Sequence, residues 1–191
     1  KEAIKKIYHL KKRPLKNPLI IHYHNLEQLK KDVELNSDFY KLYKKICPGP
    51  ITFVLKKKKK SLLPNIATAN LKTVAVRVPK NKTIRKILKS LNFPLAIPSA
   101  NKSTYVSPVS AEDVVDEFGS SLKFILNGGN CIIGLESTVV DLTSGVKILR
   151  PGLINQSDVS NILKKKINTY KGSKIVRAPG MLRRHYSPGI P

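Results

Sequence analysis

The chain has 191 residues, 41% of them hydrophobic, and 36 Lys and Arg against 12 Asp and Glu give a formal net charge of +24. This composition suits one folded domain with a core and excludes global disorder, and the apolar runs are too short for a membrane-spanning helix. The charge favours phosphate-bearing partners such as nucleotides or RNA, although an A/T-rich genome would also produce this many lysines.

Helical and alternating apolar patterns follow one another along the chain and predict an α/β fold. The predicted helices cover residues 2–12, 26–34, 39–46, 82–91, 110–119 and 157–167. The predicted strands cover residues 19–24, 51–56, 73–79, 94–98, 123–129, 131–134, 137–142 and 146–152. Because strands cluster late in the chain, we expect one domain over residues 1–170, a twisted open mixed sheet with flanking helices, and a linker-like tail over 171–191.

Short polar side chains precede three of the predicted helices, where they can accept hydrogen bonds from the first free N–H groups. The predicted N-caps are Asn25, Ser37 or Asp38, and Asn81. The two cysteines, Cys47 and Cys131, belong to no C-x-x-C motif or His/Cys cluster. No secretory signal is visible, so we expect reduced thiols, a cytoplasmic location and no metal site.

Three stretches carry polar groups that suggest chemistry. In "KKRPLKNPLIIH", Lys11 and Arg13 lie at the end of a predicted helix, where cations either cap the helix or bind a polyphosphate. His22, in the strand that follows, is a core histidine or a ligand contact. In "TVAVRVP", Arg77 interrupts an apolar strand, so it needs water, a structural carboxylate or a ligand carboxylate. The strand alone leaves that choice open.

The third stretch is "NGGNCIIGLESTVVDL", in which glycines precede hydroxyl groups at the start of a strand. Neither it nor the rest of the chain contains a Walker loop, a GxGxxG, a Gly-x-Ser-x-Gly or a HExxH motif. A fourth polar group, "SAN" at 99–101, ends an apolar strand abruptly and forms either a simple turn or one wall of an anion site. Residue patterns alone therefore predict a phosphate-binding α/β domain.

Seven segments together resemble the YrdC/TsaC family of L-threonylcarbamoyladenylate synthases. They are "KxRPxxNPLI.H", "PGPITFVL", "TVAVRVP", "PSAN.S...SP", "GGxCxxGxESTVVDL", "ILRPG" and "APGMxxxHYSP", in the order typical of that family and spanning about Lys11 to Pro188. The last segment resembles the linker of the longer, two-domain branch. The resemblance implies a YrdC-like fold and a reaction of L-threonine, bicarbonate and ATP, with Mg²⁺ accompanying ATP, to threonylcarbamoyl-AMP and pyrophosphate.

The resemblance also implies roles for residues of this chain. Lys11 and Arg13 resemble the family's basic pair, and Ser99 and Asn101 resemble its S-x-N partner, so these four are the expected catalytic residues. The expected ATP contacts are Arg13, Asn17, Thr73, Ser99, Ser107, Arg150 and Tyr186. The expected threonine contacts are His22, Arg77, Ile97 and Ser137. Implied partners are tRNA, whose adenosine receives the threonylcarbamoyl group, and the downstream transfer machinery.

Family members also carry a T-x-T-Y-G-L motif in a strand and loop ahead of the helix with which this sequence opens. That motif is not in these 191 residues, so we expect the domain here to lack the family's first strand and one threonine contact. Two further hypotheses are a non-catalytic module that binds double-stranded RNA or tRNA, which the net charge permits, and an inactive remnant.

Overall fold

The computed structural model of the chain describes residues 1–169, 176–179 and 181. Its helices are α1 (Glu2–Leu10), α2 (Leu26–Leu29), α3 (Ser37–Ile46), α4 (Lys82–Ser90), α5 (Ala111–Phe118) and α6 (Gln156–Leu163), with short 3-10 turns at Asn65–Thr68 and Gly119–Ser121. Its strands are β1 (Ile20–His22), β2 (Ile51–Lys56), β3 (Thr73–Arg77), β4 (Leu95–Ala96), β5 (Thr138–Asp141), β6 (Lys147–Arg150) and β7 (Asn168–Thr169). None of the described helices is long and apolar enough to cross a membrane.

The seven strands form one mixed sheet in the order β4-β1-β3-β2-β5-β6-β7. The pairs β1/β3, β2/β5 and β6/β7 are parallel, and the other three pairs are antiparallel. The expectation of a single α/β domain with an open mixed sheet and flanking helices is confirmed. Neighbours in the sheet are often distant in sequence, so side chains from separate segments meet at its strand ends.

Alternation along the strands gives the sheet two different faces, since successive side chains point to opposite sides. Phe53, Val76 and Val140 point into the larger core, which also holds Phe39 of α3 and residues of α6. The rings of Phe39 and Phe53 meet edge to face with centroids 4.9 Å apart. The opposite face carries a smaller cluster of buried residues, comprising Ile20, Val54, Ala75, Val139, Leu149 and Ala178. His22 and Arg77 share that second face because they lie two residues after Ile20 and Ala75.

The N-caps of three helices are those that the sequence predicted, with one exception. Asn25 accepts a hydrogen bond from the N–H of Gln28, and Asn81 accepts one from Ile84, as predicted. The prediction of Ser37 or Asp38 as a cap is wrong. The N-cap is Asn36, which accepts a hydrogen bond from the N–H of Phe39, and α3 begins at Ser37. The same amide of Asn36 also donates to the carbonyl oxygen of Leu142, 3.0 Å away, which ties α3 to the sheet.

The predicted helix over 26–34 is too long. It ends at Leu29 because the chain then pairs with β2, where the N–H of Glu34 donates to the carbonyl of Lys56 and Val33 bridges to Lys57. These long-range hydrogen bonds compete with the helical ones, and a helix of four residues has little cooperativity to lose.

The predicted strands over 123–129 and 131–134 are also wrong, because no described strand runs beside these segments and they lie in irregular backbone. Their apolar side chains stay exposed, with Phe124 91% and Ile132 fully accessible. The short strand β7 was not predicted, since its two polar residues have no alternating pattern.

The boundary predicted at residue 170 falls outside the described residues, as does most of the predicted tail. The described part of that tail contacts the sheet. Ala178 is fully buried, and the guanidinium of Arg177 forms a salt bridge of 2.8 Å with Asp141 at the end of β5.

Candidate active site

His22 and Arg77 meet at the carboxyl ends of two adjacent parallel strands. Their Cα atoms are register partners in β1 and β3. The Nδ1–H of His22 donates to the carbonyl of Ile20 at 3.2 Å, because a carbonyl oxygen can only accept. Burial, reinforced by the nearby charge of Arg77, lowers the pKa of His22 to about 3. His22 is therefore a neutral ring at physiological pH.

Arg77 is a partly buried cation without a carboxylate partner in the described part of the chain. Its Nε donates to the carbonyl of Gly49 at 3.3 Å, and no described carboxylate oxygen lies within 4.0 Å of its guanidinium. Burial lowers its pKa, and the more distant charge of Glu136 opposes that change. Of the alternatives that the sequence left open, a structural ion pair receives no support among the described residues.

Lys11 is held at the end of α1 by the segment that contains the S-A-N residues. Its Nζ donates to the carbonyl oxygen of Ser99 at 2.6 Å and to that of Asn101. The hydroxyl of Ser99 donates to Oδ1 of Asn101 at 2.5 Å, and the N–H of Ser103 donates to the carbonyl of Lys11. Burial and the charge of Arg13 lower the pKa of Lys11 to about 8. Lys11 is thus a fixed, desolvated charge rather than a solvated helix cap.

Arg13 lies two residues beyond Lys11 and is oriented by the segment that follows it. Its Nε donates to the carbonyl of Asn17 at 2.9 Å, and its Nη2 donates to Oδ1 of Asn17 and the carbonyl of Pro18, both at 2.7 Å. Asn17 is fully buried, and its carbonyl also accepts from the hydroxyl of Tyr8. Pro14 and Asn17 in the sequence therefore form the turn that fixes the guanidinium.

Arg150, at the end of β6, is held by Ser137 just before β5. Its Nη2 donates to the carbonyl and the hydroxyl oxygen of Ser137 at 2.8 and 3.0 Å. The hydroxyls of Ser137 and Thr52 are 2.8 Å apart, which anchors Ser137 to β2. Glu136 is adjacent, with Oε2 3.7 Å from Nη2 of Arg150.

One cavity on the second face of the sheet brings most of the expected site residues together. Eight of them line it: Lys11, Arg13, His22, Arg77, Ile97, Ser99, Asn101 and Arg150. Asn17 and Ser137 lie behind the lining as hydrogen-bond partners of its two buried arginines. Ser107 lies in an adjoining depression and donates to Glu136.

Among the described residues, Thr73 is not brought to the cavity. Thr73 is at the opposite end of β3 from Arg77, paired with Lys56, and four residues of extended chain span about 13 Å. Tyr186 lies outside the described residues. Sequence reasoning missed Glu136 and Thr104, which also line the cavity. The signal for Glu136 was available, because it is an acid directly before the Ser137 and Thr138 hydroxyls in "GLESTVV".

The described residues contain no group of three His, Cys, Asp or Glu side chains that could hold a metal ion. One carboxylate, that of Glu136, lines the described part of the cavity beside four cations, those of Lys11, Arg13, Arg77 and Arg150. Such a site suits an anionic ligand that brings its own divalent cation, since Mg²⁺ is commonly held by substrate phosphates.

Curated relatives match nearly all of this chain. It is 39% identical to the threonylcarbamoyl-AMP synthase of Pyrococcus abyssi over 192 residues, which cover 97% of the chain and 56% of that protein. It is 35% identical to the threonylcarbamoyl-AMP synthase of Bacillus subtilis, covering 100% of the chain and 56% of the relative. The chain thus spans little more than half the length of these relatives.

Solved structures have the same architecture. The crystal structure of P. abyssi Sua5 complexed with L-threonine superposes with a TM-score of 0.92 at 37% identity, covering 98% of this chain and 56% of that one. Escherichia coli YciO, at 24% identity, shares the fold with a TM-score of 0.70 over 80% of this chain and 74% of its own. The Sua5/YciO/YrdC family model, described as "Telomere recombination", matches residues 1–152. The chain belongs to the Sua5/YciO/YrdC family.

Proposed function

We propose that this chain forms L-threonylcarbamoyl-AMP and pyrophosphate from L-threonine, bicarbonate and ATP, as a nucleotidyltransferase. The observation that carries the proposal is one cavity in which Arg77 has no described carboxylate partner while Lys11 and Arg13 are fixed at another wall. The names of the curated relatives support it, and they favour an enzyme over a non-catalytic RNA-binding module.

Arg77 binds the threonine carboxylate. A guanidinium presents parallel N–H groups that match the two oxygens of a carboxylate, and in this cavity those groups are not taken by a described acid. The neutral His22 beside it adds an uncharged wall to the amino acid site. The bound L-threonine of P. abyssi Sua5, at 37% identity, supports a threonine site in this chain.

Lys11 and Arg13 bind the phosphates of ATP, with Ser99 and Asn101 holding Lys11 in place. The threonine nitrogen attacks bicarbonate to form a carbamate, whose oxygen then attacks the α-phosphorus as the bond to pyrophosphate breaks. No side-chain nucleophile is needed, because positioning and fixed positive charge stabilise the transition state. Mg²⁺ enters with ATP, where it neutralises phosphate charge.

Pyrophosphate release tests this function. Purified protein with threonine, bicarbonate, ATP and Mg²⁺ should release pyrophosphate and form a product with the mass of threonylcarbamoyl-AMP. Omission of threonine or bicarbonate should abolish both signals, which separates the reaction from plain ATP hydrolysis. A folded protein that binds ATP but releases no pyrophosphate with all three substrates present would contradict the proposal.

The product supplies a downstream transfer enzyme that modifies tRNA in the cytoplasm. The Lys56–Lys60 run supports direct contact with tRNA or double-stranded RNA; it begins at the last residue of β2, and the N–H of Lys57 donates to the carbonyl of Lys72. Such contact should weaken steeply with salt, because lysines bind the phosphate backbone by releasing counterions. Filter binding of tRNA at 50 and 200 mM salt measures this dependence. Retention that does not change with salt, or no retention at all, would contradict RNA as a partner.

A further inference from the structure

Glu136 is the one acid among the described residues that line the cavity, and the roles above leave it unused. It lies immediately before Ser137 and β5, facing Lys11, Arg13, Arg77 and Arg150. A carboxylate in this basic cavity repels an anionic ligand and lowers the affinity of the cavity for that ligand. The same carboxylate attracts a positively charged group of a substrate.

The contacts of Glu136 leave room for another partner. Its Oε1 accepts one hydrogen bond from the hydroxyl of Ser107 at 2.8 Å, and its Oε2 is 3.7 Å from Nη2 of Arg150. An ionised carboxylate has about four acceptor positions, so acceptor capacity remains on both oxygens. The side chain is 27% exposed, which keeps it accessible from the cavity.

Glu136 also interacts electrostatically with a residue at each end of the proposed substrate complex. Burial lowers the pKa of both Lys11 and Arg77, and the charge of Glu136 opposes the change in each of them. Its carboxylate is therefore electrostatically close to the proposed phosphate site and to the proposed threonine carboxylate site. The threonine nitrogen is bonded to the carbon that bears the carboxylate, and it becomes linked through the carbamate to the α-phosphate. It must therefore lie between these same two sites.

We propose, on the basis of the function above, that Glu136 binds the α-ammonium group of threonine and accepts its proton. The ammonium N–H bond breaks and Glu136 becomes a carboxylic acid. The nitrogen lone pair then bonds to the carbon of bicarbonate, whose hydroxyl leaves as water with a second proton from nitrogen. The resulting carbamate attacks the α-phosphorus, and Glu136 returns its proton to solvent.

The other titratable groups that line the cavity are poorly placed to accept this proton. Arg13, Arg77 and Arg150 are guanidinium cations, and Nζ of Lys11 already donates to oxygens of Ser99 and Asn101. His22 is a buried neutral ring, and the charge of Arg77 opposes its protonation. Ser107 fixes the orientation of the Glu136 carboxylate through the 2.8 Å hydrogen bond.

Calorimetric binding with a substrate analogue tests the contact without relying on catalysis. Threonine and (3R)-3-hydroxybutyrate, which has the same carboxylate and hydroxyl but no amine, are titrated into wild type and the Glu136→Gln variant. Glutamine keeps the shape and the acceptor for Ser107 but removes the charge. Glu112→Gln, an identical change on the exposed side of α5, is the matched control.

Glu136→Gln should weaken threonine binding about 10- to 100-fold, as expected for loss of a charge-assisted hydrogen bond, and leave the analogue unchanged. Pyrophosphate release by Glu136→Gln should also rise more steeply with pH than in wild type, because the variant needs threonine that is already neutral.

Three results would overturn the inference. Equal weakening of threonine and the analogue would assign Glu136 a structural role, and a higher KM for MgATP with unchanged threonine binding would assign it to the metal. Unchanged threonine binding together with an unchanged pH profile would show that Glu136 takes no part in binding or deprotonating threonine. Wild type that binds threonine without releasing pyrophosphate contradicts the proposed function alone, whereas wild type that binds no threonine contradicts both.

Discussion

The guanidinium of Arg13 and the side chain of Asn17 form a closed pair, in which Nη2 donates to Oδ1 at 2.7 Å and Nε donates to the Asn17 carbonyl at 2.9 Å. Asn17 is fully buried and lies behind the cavity lining, where it holds the guanidinium of Arg13. We therefore expect Asn17 to position Arg13, and its direct contact with ATP stays a prediction.

Substitution of Arg13 should therefore cost more than substitution of its partner. Arg13→Ala should lower kcat/KM for ATP, and the decrease should correspond to a loss of about 2–4 kcal/mol of transition-state stabilisation, because the substitution removes a fixed charge. Asn17→Ala should raise the KM for ATP about fivefold to tenfold with a smaller change in kcat, because the guanidinium is retained but less restrained. Pyrophosphate release at varied ATP measures both. A larger loss in Asn17→Ala than in Arg13→Ala would contradict the positioning role.

Arg77→Lys should weaken threonine binding about tenfold and leave ATP binding within about twofold, because one ammonium cannot make two parallel hydrogen bonds to a carboxylate. Arg85→Lys is the control, since Arg85 donates to the carbonyl of His24 outside the cavity. Threonine titration and thermal melts are compared for both variants. A collapsed melting temperature with unchanged threonine affinity would make Arg77 a structural residue.

ATP affinity should fall as pH rises through about 8. Burial lowers the pKa of Lys11 from 10.5 to about 8, so its ammonium is mostly charged at pH 7 and mostly neutral at pH 9. Loss of this charge beside the phosphates should weaken ATP binding about tenfold between those values. Lys11→Arg should remove the alkaline decrease, since guanidinium stays charged, even if its affinity at pH 7 is lower. The same decrease in Lys11→Arg would assign it to another group.

Gly152 should tolerate no side chain. A Cβ there would lie 2.5 Å from both the carbonyl oxygen of Glu136 and the N–H nitrogen of Thr138, backbone atoms that cannot move independently. Gly152→Ala should lower the free energy of unfolding by about 1–3 kcal/mol and the melting temperature by about 2–10 °C. Gly128→Ala is the control, because its Cβ would meet only Asn81 at 3.9 Å. Equal melting temperatures for the two variants would show that the backbone at Gly152 and the backbone at Glu136 and Thr138 can move apart to make room for a methyl group.

Local sequence was sufficient for the features that depend on neighbouring residues. Asn25 and Asn81 cap helices, and short runs of β-branched and apolar residues predicted β2, β3 and β5. The order of the motifs also indicated the family. These signals are readable because capping and alternation act over a few residues.

The tertiary structure alone decided which polar groups meet. Residues 137 and 150 are joined because β5 and β6 pair, and His22 and Arg77 are joined because β1 and β3 run parallel, whereas Thr73 is carried to the other end of the same strand. The helix over 26–34 ended early for the same reason, since its backbone found partners in β2. Long-range hydrogen bonds and burial set these outcomes, and one stretch of sequence does not contain the partners that compete for its backbone and charges.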